Sequence, residues 1–159
     1  MKIQPMAEIP GAASKPVQPG PSRRRILVVD DQPFFLSACQ QILRGRGYEV
    51  QTAAGGAEAL KAAEAGRPDI ILLDVEMPGT DGFATCRRLK ANPAMAHIPV
   101  AMVTASEAPK LVQQAFEAGA QGTIPKSMGW ERLLNMLDLI LAQARPVTLA
   151  ENPKRDPAA

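Results

Sequence analysis

Four apolar runs in this chain end in side chains that can do chemistry. The first ends in two adjacent acids, Asp30 and Asp31, and a later one ends in Asp74. Two further runs end in the hydroxyl of Thr104 and the amine of Lys126. Three carboxylates held together repel one another and raise each other's pKa unless a cation neutralises them. Such oxygens suit Mg²⁺, and lysine and threonine bind phosphoryl oxygens. The predicted chemistry is metal-assisted phosphoryl transfer to a carboxylate.

The elements that position these side chains follow from the apolar runs. Ile70 to Leu73 is an unbroken apolar stretch between turn formers, which is typical of a strand buried on both faces. Asp74 ends this stretch, and Met-Pro-Gly-Thr-Asp-Gly then predicts a loop. Ligands of open parallel sheets bind beyond the carboxyl ends of the strands, where Asp74 would lie. The alternative is that Asp74 only caps a helix.

Strand and helix patterns alternate five times along the chain. Parallel neighbours need such crossovers, which are almost always right-handed. We therefore predict an α/β fold with a doubly wound, five-stranded parallel sheet and helices on both faces. Glycine, asparagine or proline follows each helical pattern. The helices are predicted to begin near Pro33, Gly56, Asp81, Ala108 and Trp130.

Two proline-rich ends flank a predicted domain of residues 23 to 145. Residues 1 to 22 contain five prolines and lack a periodic apolar pattern, which predicts a disordered tail. This tail is either a plain linker or a docking peptide. Residues 146 to 159 contain three prolines and are predicted to form a second disordered tail. We expect no effector domain after it.

Composition excludes several classes of protein. The 159 residues suffice for one domain with a core, and a net charge of +2 is too mild to indicate nucleic acid binding. Without a long apolar run or a signal core, we expect a cytoplasmic protein with no membrane insertion. Cys39 and Cys86 fall in predicted helices and should be buried, reduced thiols. His97 is expected on the surface and not as a phosphodonor.

The strand-end residues, in this order and spacing, resemble the receiver domain of bacterial two-component response regulators. The similarity covers roughly Arg25 to Arg145. It implies a flavodoxin-like fold with strand order 2-1-3-4-5, which the alternation alone leaves open. It also implies that Asp74 accepts a phosphoryl group, that Lys126 contacts it, and that Thr104 is the switch hydroxyl. The implied ligands of Mg²⁺ are Asp30, Asp31, Asp74 and the backbone carbonyl of Glu76.

The resemblance implies a role in phosphorelay signal transduction. We expect a single-domain response regulator, a phosphoprotein and not an enzyme, although self-dephosphorylation stays open. Its phosphoryl donor would be a sensor histidine kinase or a phosphotransfer protein. Its output would be phosphorylation-dependent binding to a downstream protein through the fourth helix, the fifth strand and the last helix. The wide apolar stripe of the last helix indicates either core packing or a partner or homodimer face.

Two positions depart from the family pattern. Lys126 is followed by Ser127, where the family usually has proline after a cis peptide. A cis peptide without proline costs about 3 kcal/mol, so we expect a trans peptide or a strained one. Thr123 stands where the family usually has a switch aromatic, so no ring there can report the state of Thr104. A constitutive scaffold with an uncoupled switch is therefore the alternative function.

Two enzyme classes are disfavoured. A Mg²⁺-dependent aspartyl phosphatase of the haloacid type needs an acid two residues after its nucleophile, and Glu76 supplies one after Asp74. That class, however, leaves the remaining strand-end residues less well explained, and no cap segment is recognisable. A nucleotide-binding enzyme is disfavoured because neither a P-loop nor Gly-x-Gly-x-x-Gly follows the first strand.

Overall fold

The central element of the protein is a parallel sheet, seen in a computed structural model that describes residues 23–143. The strand order is β2-β1-β3-β4-β5, and every neighbouring pair is parallel. The predicted doubly wound α/β fold and its strand order are therefore confirmed. The two predicted disordered tails lie outside the described residues. The strands are β1 (Arg25–Val29), β2 (Glu49–Ala53), β3 (Ile70–Asp74), β4 (Val100–Thr104) and β5 (Gly122–Pro125).

Within residues 23–143, five helices connect or follow these strands, and each begins within one residue of its predicted start. A short 3-10 helix, Lys126–Met128, links the last strand to the last helix. None of the helices within residues 23–143 has the length and apolarity that a bilayer crossing requires. The helices are α1 (Pro33–Gly45), α2 (Gly56–Gly66), α3 (Gly82–Ala91), α4 (Pro109–Glu117) and α5 (Trp130–Gln143).

Helices pack on both faces of the sheet, and because successive strand residues point to opposite sides, the inner strands contribute to two cores. On one face, Leu27 and Ile71 join the core formed with α2, α3 and α4. On the other face, Val28 and Leu72 join the core formed with α1 and α5. Strand β3 is buried along its whole length. Its unbroken apolar sequence reflects burial on both faces. The strand ends at Asp74, which therefore follows four buried residues at the edge of the sheet.

The apolar stripe of α5 belongs to the core. Five of its side chains are buried against the sheet, while Leu139 remains 53% exposed. Cys39 and Cys86 are both buried free thiols, as predicted, and His97 is exposed. Burial raises the pKa of Cys39 to about 12, which keeps this thiol protonated. The buried residues of α5 are Leu133, Leu134, Leu137, Ile140 and Leu141.

The segment after Asp74 is more ordered than the predicted loop. Glu76–Met77 pairs antiparallel with Thr80–Asp81 in a short hairpin. Asp81 then caps α3, since its Oδ1 accepts a hydrogen bond from Phe83 N at 2.9 Å. A Cβ on Gly82 would meet the carbonyl of Asp74 and would lie 2.8 Å from Val75 Cα. Glycine at this position therefore lets α3 begin directly against the end of β3.

Candidate functional site

Three carboxylates meet at the carboxyl edge of the sheet. Strands β1 and β3 are adjacent, with Val29 opposite Leu73, so the acids that follow them lie side by side. Asp30, Asp31 and Asp74 each offer an oxygen, and these oxygens all lie within 4.8 Å of one another. Asp30 and Asp74 are buried, and Asp31 is half-buried. The predicted acidic cluster is thus assembled by the fold.

Lys126 joins this cluster from the outer strand of the sheet. Its Nζ lies 2.8 Å from Asp30 Oδ2 and 3.9 Å from Asp74 Oδ1. Strand β4 separates β5 from β3, so the long lysine side chain bridges the edge of an intervening strand. The ammonium partly offsets the charge of the three acids.

Two stacked aromatic rings lie beside Lys126, and the ring of Phe35 contacts it directly. Neither ring was recognised from the sequence as part of the site. Lys126 Nζ lies over the Phe35 ring, 4.5 Å from its centroid. The Phe35 ring stacks on Trp130, with 5.6 Å between centroids and 19° between planes. Sequence periodicity placed both rings only in helical stripes. The overlooked signal was an aromatic residue in the first turn of the helix that follows Asp30 and Asp31.

Thr104 ends β4 and is held by its own loop. Its buried Oγ1 accepts a hydrogen bond from Ser106 N at 2.9 Å and donates one to Ser106 O at 3.1 Å. Asp74 pairs with Val103 in the neighbouring strand, so Thr104 lies one residue beyond the level of Asp74. The structure therefore places the hydroxyl at the predicted edge, engaged with the loop that leads to α4.

Glu76 lies in the first strand of the short hairpin, opposite Asp81. Its side chain is exposed, and its backbone helps to lower the pKa of the Asp74 carboxyl. The role of its carbonyl as a ligand of Mg²⁺ stays a prediction.

Ser127 stands where the family usually has proline after a cis peptide. Here the Lys126–Ser127 peptide is trans. The hydroxyl of Ser127 donates a hydrogen bond to Glu107 Oε2 at 3.3 Å, which links the loops that follow β4 and β5. Thr123 is half-buried in β5.

Burial and like charge shape the electrostatics of Asp74. Burial, and after it the charge of Asp30, raise the pKa of this carboxyl from 3.8 to about 6. Lys126 and the backbone of Glu76 act in the opposite direction and lower this pKa, whereas Asp31 raises it. Any bound cation would favour the ionised form, which is the form that can act as a nucleophile.

The cluster fits a small divalent cation. Asp30 Oδ1 accepts a hydrogen bond from Gln32 N at 2.9 Å. Asp30 Oδ2 is buried and has no aligned hydrogen-bond donor among the described residues, although Lys126 Nζ lies beside it. Oxygens of Asp30, Asp31 and Asp74 together form a hard-oxygen set with excess negative charge, as Mg²⁺ requires.

Comparison with known proteins gives the family. The sequence profile described as "Response regulator receiver domain" matches residues 26–138. The chain belongs to the response regulator receiver domain family. Receiver domains generally bind Mg²⁺ at an acidic pocket, and they interact with histidine kinases or phosphotransfer proteins and with downstream targets. Asp30, Asp31 and Asp74 form an acidic cluster in this receiver domain.

Curated relatives of this receiver domain are regulators that extend beyond the matched region. Response regulator PleD of Caulobacter vibrioides is 46% identical over 102 residues, which are 64% of this chain and 22% of PleD. The gliding motility regulatory protein of Myxococcus xanthus is 36% identical, over 84% of this chain and 17% of that protein. Response regulator MprA of Mycobacterium tuberculosis is 34% identical, over 80% of this chain and 55% of MprA. The chain thus spans 17% to 55% of these relatives.

Solved structures show the same fold. Chemotaxis protein CheY4 of Vibrio cholerae superposes with a TM-score of 0.71 at 33% identity, covering 74% of this chain and 98% of that one. A CheY-like receiver domain protein of Methanospirillum hungatei gives a TM-score of 0.73 at 28% identity, covering 78% and 98%. Nearly the whole of each of these chains matches the receiver domain described here.

Proposed function

We propose that this receiver domain accepts a phosphoryl group on Asp74 from the phosphohistidine of a histidine kinase or phosphotransfer protein. The observation that carries the proposal is the buried Asp74 carboxylate at the end of β3, with Lys126 Nζ 3.9 Å from its Oδ1 and two further acids beside it. Family membership and this arrangement support the same chemistry.

In the proposed reaction, a carboxylate oxygen of Asp74 attacks the phosphorus atom. The phosphorus–nitrogen bond breaks as the new phosphorus–oxygen bond forms, and the imidazole leaves with the electron pair and takes up a proton. The products are an acyl phosphate on Asp74 and neutral histidine. Lys126 stabilises negative charge on the phosphoryl oxygens, and the sheet edge supplies position more than covalent machinery. Mg²⁺ held by Asp30, Asp31 and Asp74, with the predicted Glu76 carbonyl, would offset charge in the transition state.

The proposed signal passes through Thr104. A phosphoryl group adds nearly two negative charges and three strong acceptor oxygens beside this hydroxyl. Turning toward that group would cost Thr104 its two hydrogen bonds with Ser106, and so would free the loop that leads to α4. Helix α4 exposes Val112 and Phe116, which are 47% and 73% accessible. Exposed apolar side chains on α4 support the proposal that α4, β5 and α5 contact the downstream protein.

We propose that the protein acts as a phosphorylated binding module in the cytoplasm and not as an enzyme with a separate substrate. Incubation with acetyl phosphate and Mg²⁺, followed by intact-mass measurement, tests the acceptor. We expect one phosphoryl adduct on wild type and none on Asp74→Asn. An adduct that persists on Asp74→Asn would assign the acceptor elsewhere, and no adduct on wild type would refute phosphoryl acceptance.

A constitutive scaffold is the second candidate function. The half-buried Thr123 favours it, because no aromatic ring at this position of β5 can follow the movement of Thr104. Partner binding distinguishes the two functions. If the protein is a scaffold, wild type treated with acetyl phosphate and Asp74→Asn should bind the partner equally well. If it is a switch, only the phosphorylated wild type should bind.

A further inference from the structure

The position of the Lys126 ammonium needs a physical cause. Lys126 follows the outer strand β5 and begins the short 3-10 helix, and its side chain must reach the acids of β1 and β3. A lysine side chain loses substantial rotamer freedom when its ammonium is held in one place. The Lys126–Ser127 peptide is trans, and no proline ring constrains the backbone after the lysine. Side-chain contacts must therefore fix the ammonium.

Two contacts do so. Asp30 Oδ2 lies 2.8 Å from Nζ and attracts the charge. The face of Phe35 lies 4.5 Å from the same nitrogen, well inside the range of about 6 Å in which a cation is attracted to an aromatic ring. Phe35 is half-buried, and partial desolvation strengthens that attraction.

The Phe35 ring is itself fixed by its neighbours. Trp130, the first residue of α5, stacks on it at 5.6 Å. Both rings pack against the core between the sheet, α1 and α5. An ordered ring gives the ammonium an ordered partner, whereas a mobile one would allow Lys126 to swing toward solvent.

We propose that Phe35 is a positioning residue for phosphoryl transfer, because its ring holds the Lys126 ammonium over the acidic pocket where the phosphoryl oxygens arrive. The inference rests on the proposed function, since it concerns the same site. Phe35 does not touch the transferred group and acts only through Lys126. Its contribution appears in the rate of phosphoryl transfer, while the acids that bind the metal keep their own arrangement.

The test compares four proteins in the presence of Mg²⁺ and acetyl phosphate. Phe35→Leu removes the ring and keeps apolar bulk, and Phe35→Tyr keeps an aromatic face. Phe34→Leu is the matched control, because it makes the same change at the adjacent residue of α1, where the ring is 86% exposed. The rate of adduct formation is followed by intact mass, and the dissociation constant for Mg²⁺ by calorimetry.

We expect Phe35→Leu to slow adduct formation by about threefold to tenfold, the range that a cation–π contact of this kind supports. Phe35→Tyr and Phe34→Leu should stay close to the wild-type rate, and Mg²⁺ affinity should not change in any variant. A wild-type rate in Phe35→Leu would overturn the inference. So would a rate in Phe35→Tyr as low as that of Phe35→Leu, because the loss would then reflect packing and not the ring face.

A second readout separates the inference from the proposed function. Protons held over the face of a ring resonate upfield, so the side-chain methylene signal of Lys126, identified by its loss in Lys126→Gln, should be upfield in wild type without any phosphodonor. Phe35→Leu should move it to the ordinary lysine position. If wild type forms the adduct but the Lys126 signal is the same in wild type and Phe35→Leu, only the role of Phe35 is refuted. If the signal differs between these two proteins but wild type forms no adduct, phosphoryl acceptance is refuted and the contact between Lys126 and Phe35 is retained.

Discussion

Lys126 is paired more closely with Asp30 than with Asp74: its Nζ lies 2.8 Å from Asp30 Oδ2 but 3.9 Å from Asp74 Oδ1. The ammonium thus neutralises the most deeply buried acid of the pocket and stays within reach of the proposed acceptor. This division of contacts suits a site in which Asp74 must remain free to form a bond while its neighbours stay in place.

Replacing Lys126 with methionine should impair both chemistry and stability. Without the ammonium, the phosphoryl oxygens lose their cationic partner, and we expect adduct formation from acetyl phosphate to fall by about a hundredfold. Asp30 would also keep a buried charge without its partner, which should lower the free energy of unfolding by about 2 kcal/mol. Lys110→Met, at an exposed lysine of α4, is the matched control. Equal rates and equal urea midpoints in the two variants would contradict the role of the ion pair.

The raised pKa of Asp74 predicts a stability that depends on pH in the absence of Mg²⁺. Since burial and Asp30 raise this pKa from 3.8 to about 6, folding favours the protonated carboxyl. The resulting stabilisation is fully present below the unfolded pKa and is lost as the pH rises through the folded one. Asparagine carries no charge at any pH. The free energy of unfolding of Asp74→Asn should therefore exceed that of wild type by at most about 2 to 3 kcal/mol near neutral pH.

Urea unfolding of both proteins with a chelator at a series of pH values checks this prediction. The difference in unfolding free energy should shrink toward zero as the pH falls below about 4. A difference that is independent of pH would show that repulsion in the pocket does not act through ionised Asp74.

Mg²⁺ should stabilise the folded protein because the three acids are assembled only in the folded state. At a Mg²⁺ concentration about ten times the dissociation constant, the gain should be about 1.4 kcal/mol. Asp30→Asn removes one charge from the set and should lose most of this gain, whereas Glu64→Gln, at an exposed acid of α2, should retain it. Thermal unfolding with Mg²⁺ and with a chelator measures the effect. Equal gains in both variants would place the bound cation outside the pocket.

Gly82 should tolerate no larger side chain. A Cβ there would meet the Asp74 carbonyl, which belongs to the backbone and cannot move aside cheaply. We expect Gly82→Ala to lower the free energy of unfolding by about 1 to 3 kcal/mol and to slow phosphorylation by displacing the end of β3. In Gly122→Ala, the new Cβ would lie 4.0 Å from Ile140 Cδ1, an ordinary contact. Urea unfolding of both variants decides the matter, and equal midpoints would argue against the close approach of α3 to β3.

Much of the site could be predicted because its acids and hydroxyl terminate buried strands. Asp30, Asp74 and Thr104 each follow an apolar run, and a parallel sheet necessarily gathers the ends of such runs at one edge. The positions of the helices could also be predicted from the sequence, since Pro33 and Asp81 mark where two of them start. These features depend on local sequence patterns, so they survive without knowledge of long-range packing.

What the sequence by itself determined is therefore the sheet, its helices and the residues along the carboxyl edge of the sheet. Only the tertiary structure decided which side chains those residues contact. It pairs Lys126 with Asp30, lays its ammonium over Phe35, and ties Thr104 to Ser106. Asp30 and Lys126 are distant in sequence, and they follow strands β1 and β5, which β3 and β4 separate in the sheet. Side-chain contacts of this kind are set by rotamers and packing between elements, which no local pattern encodes.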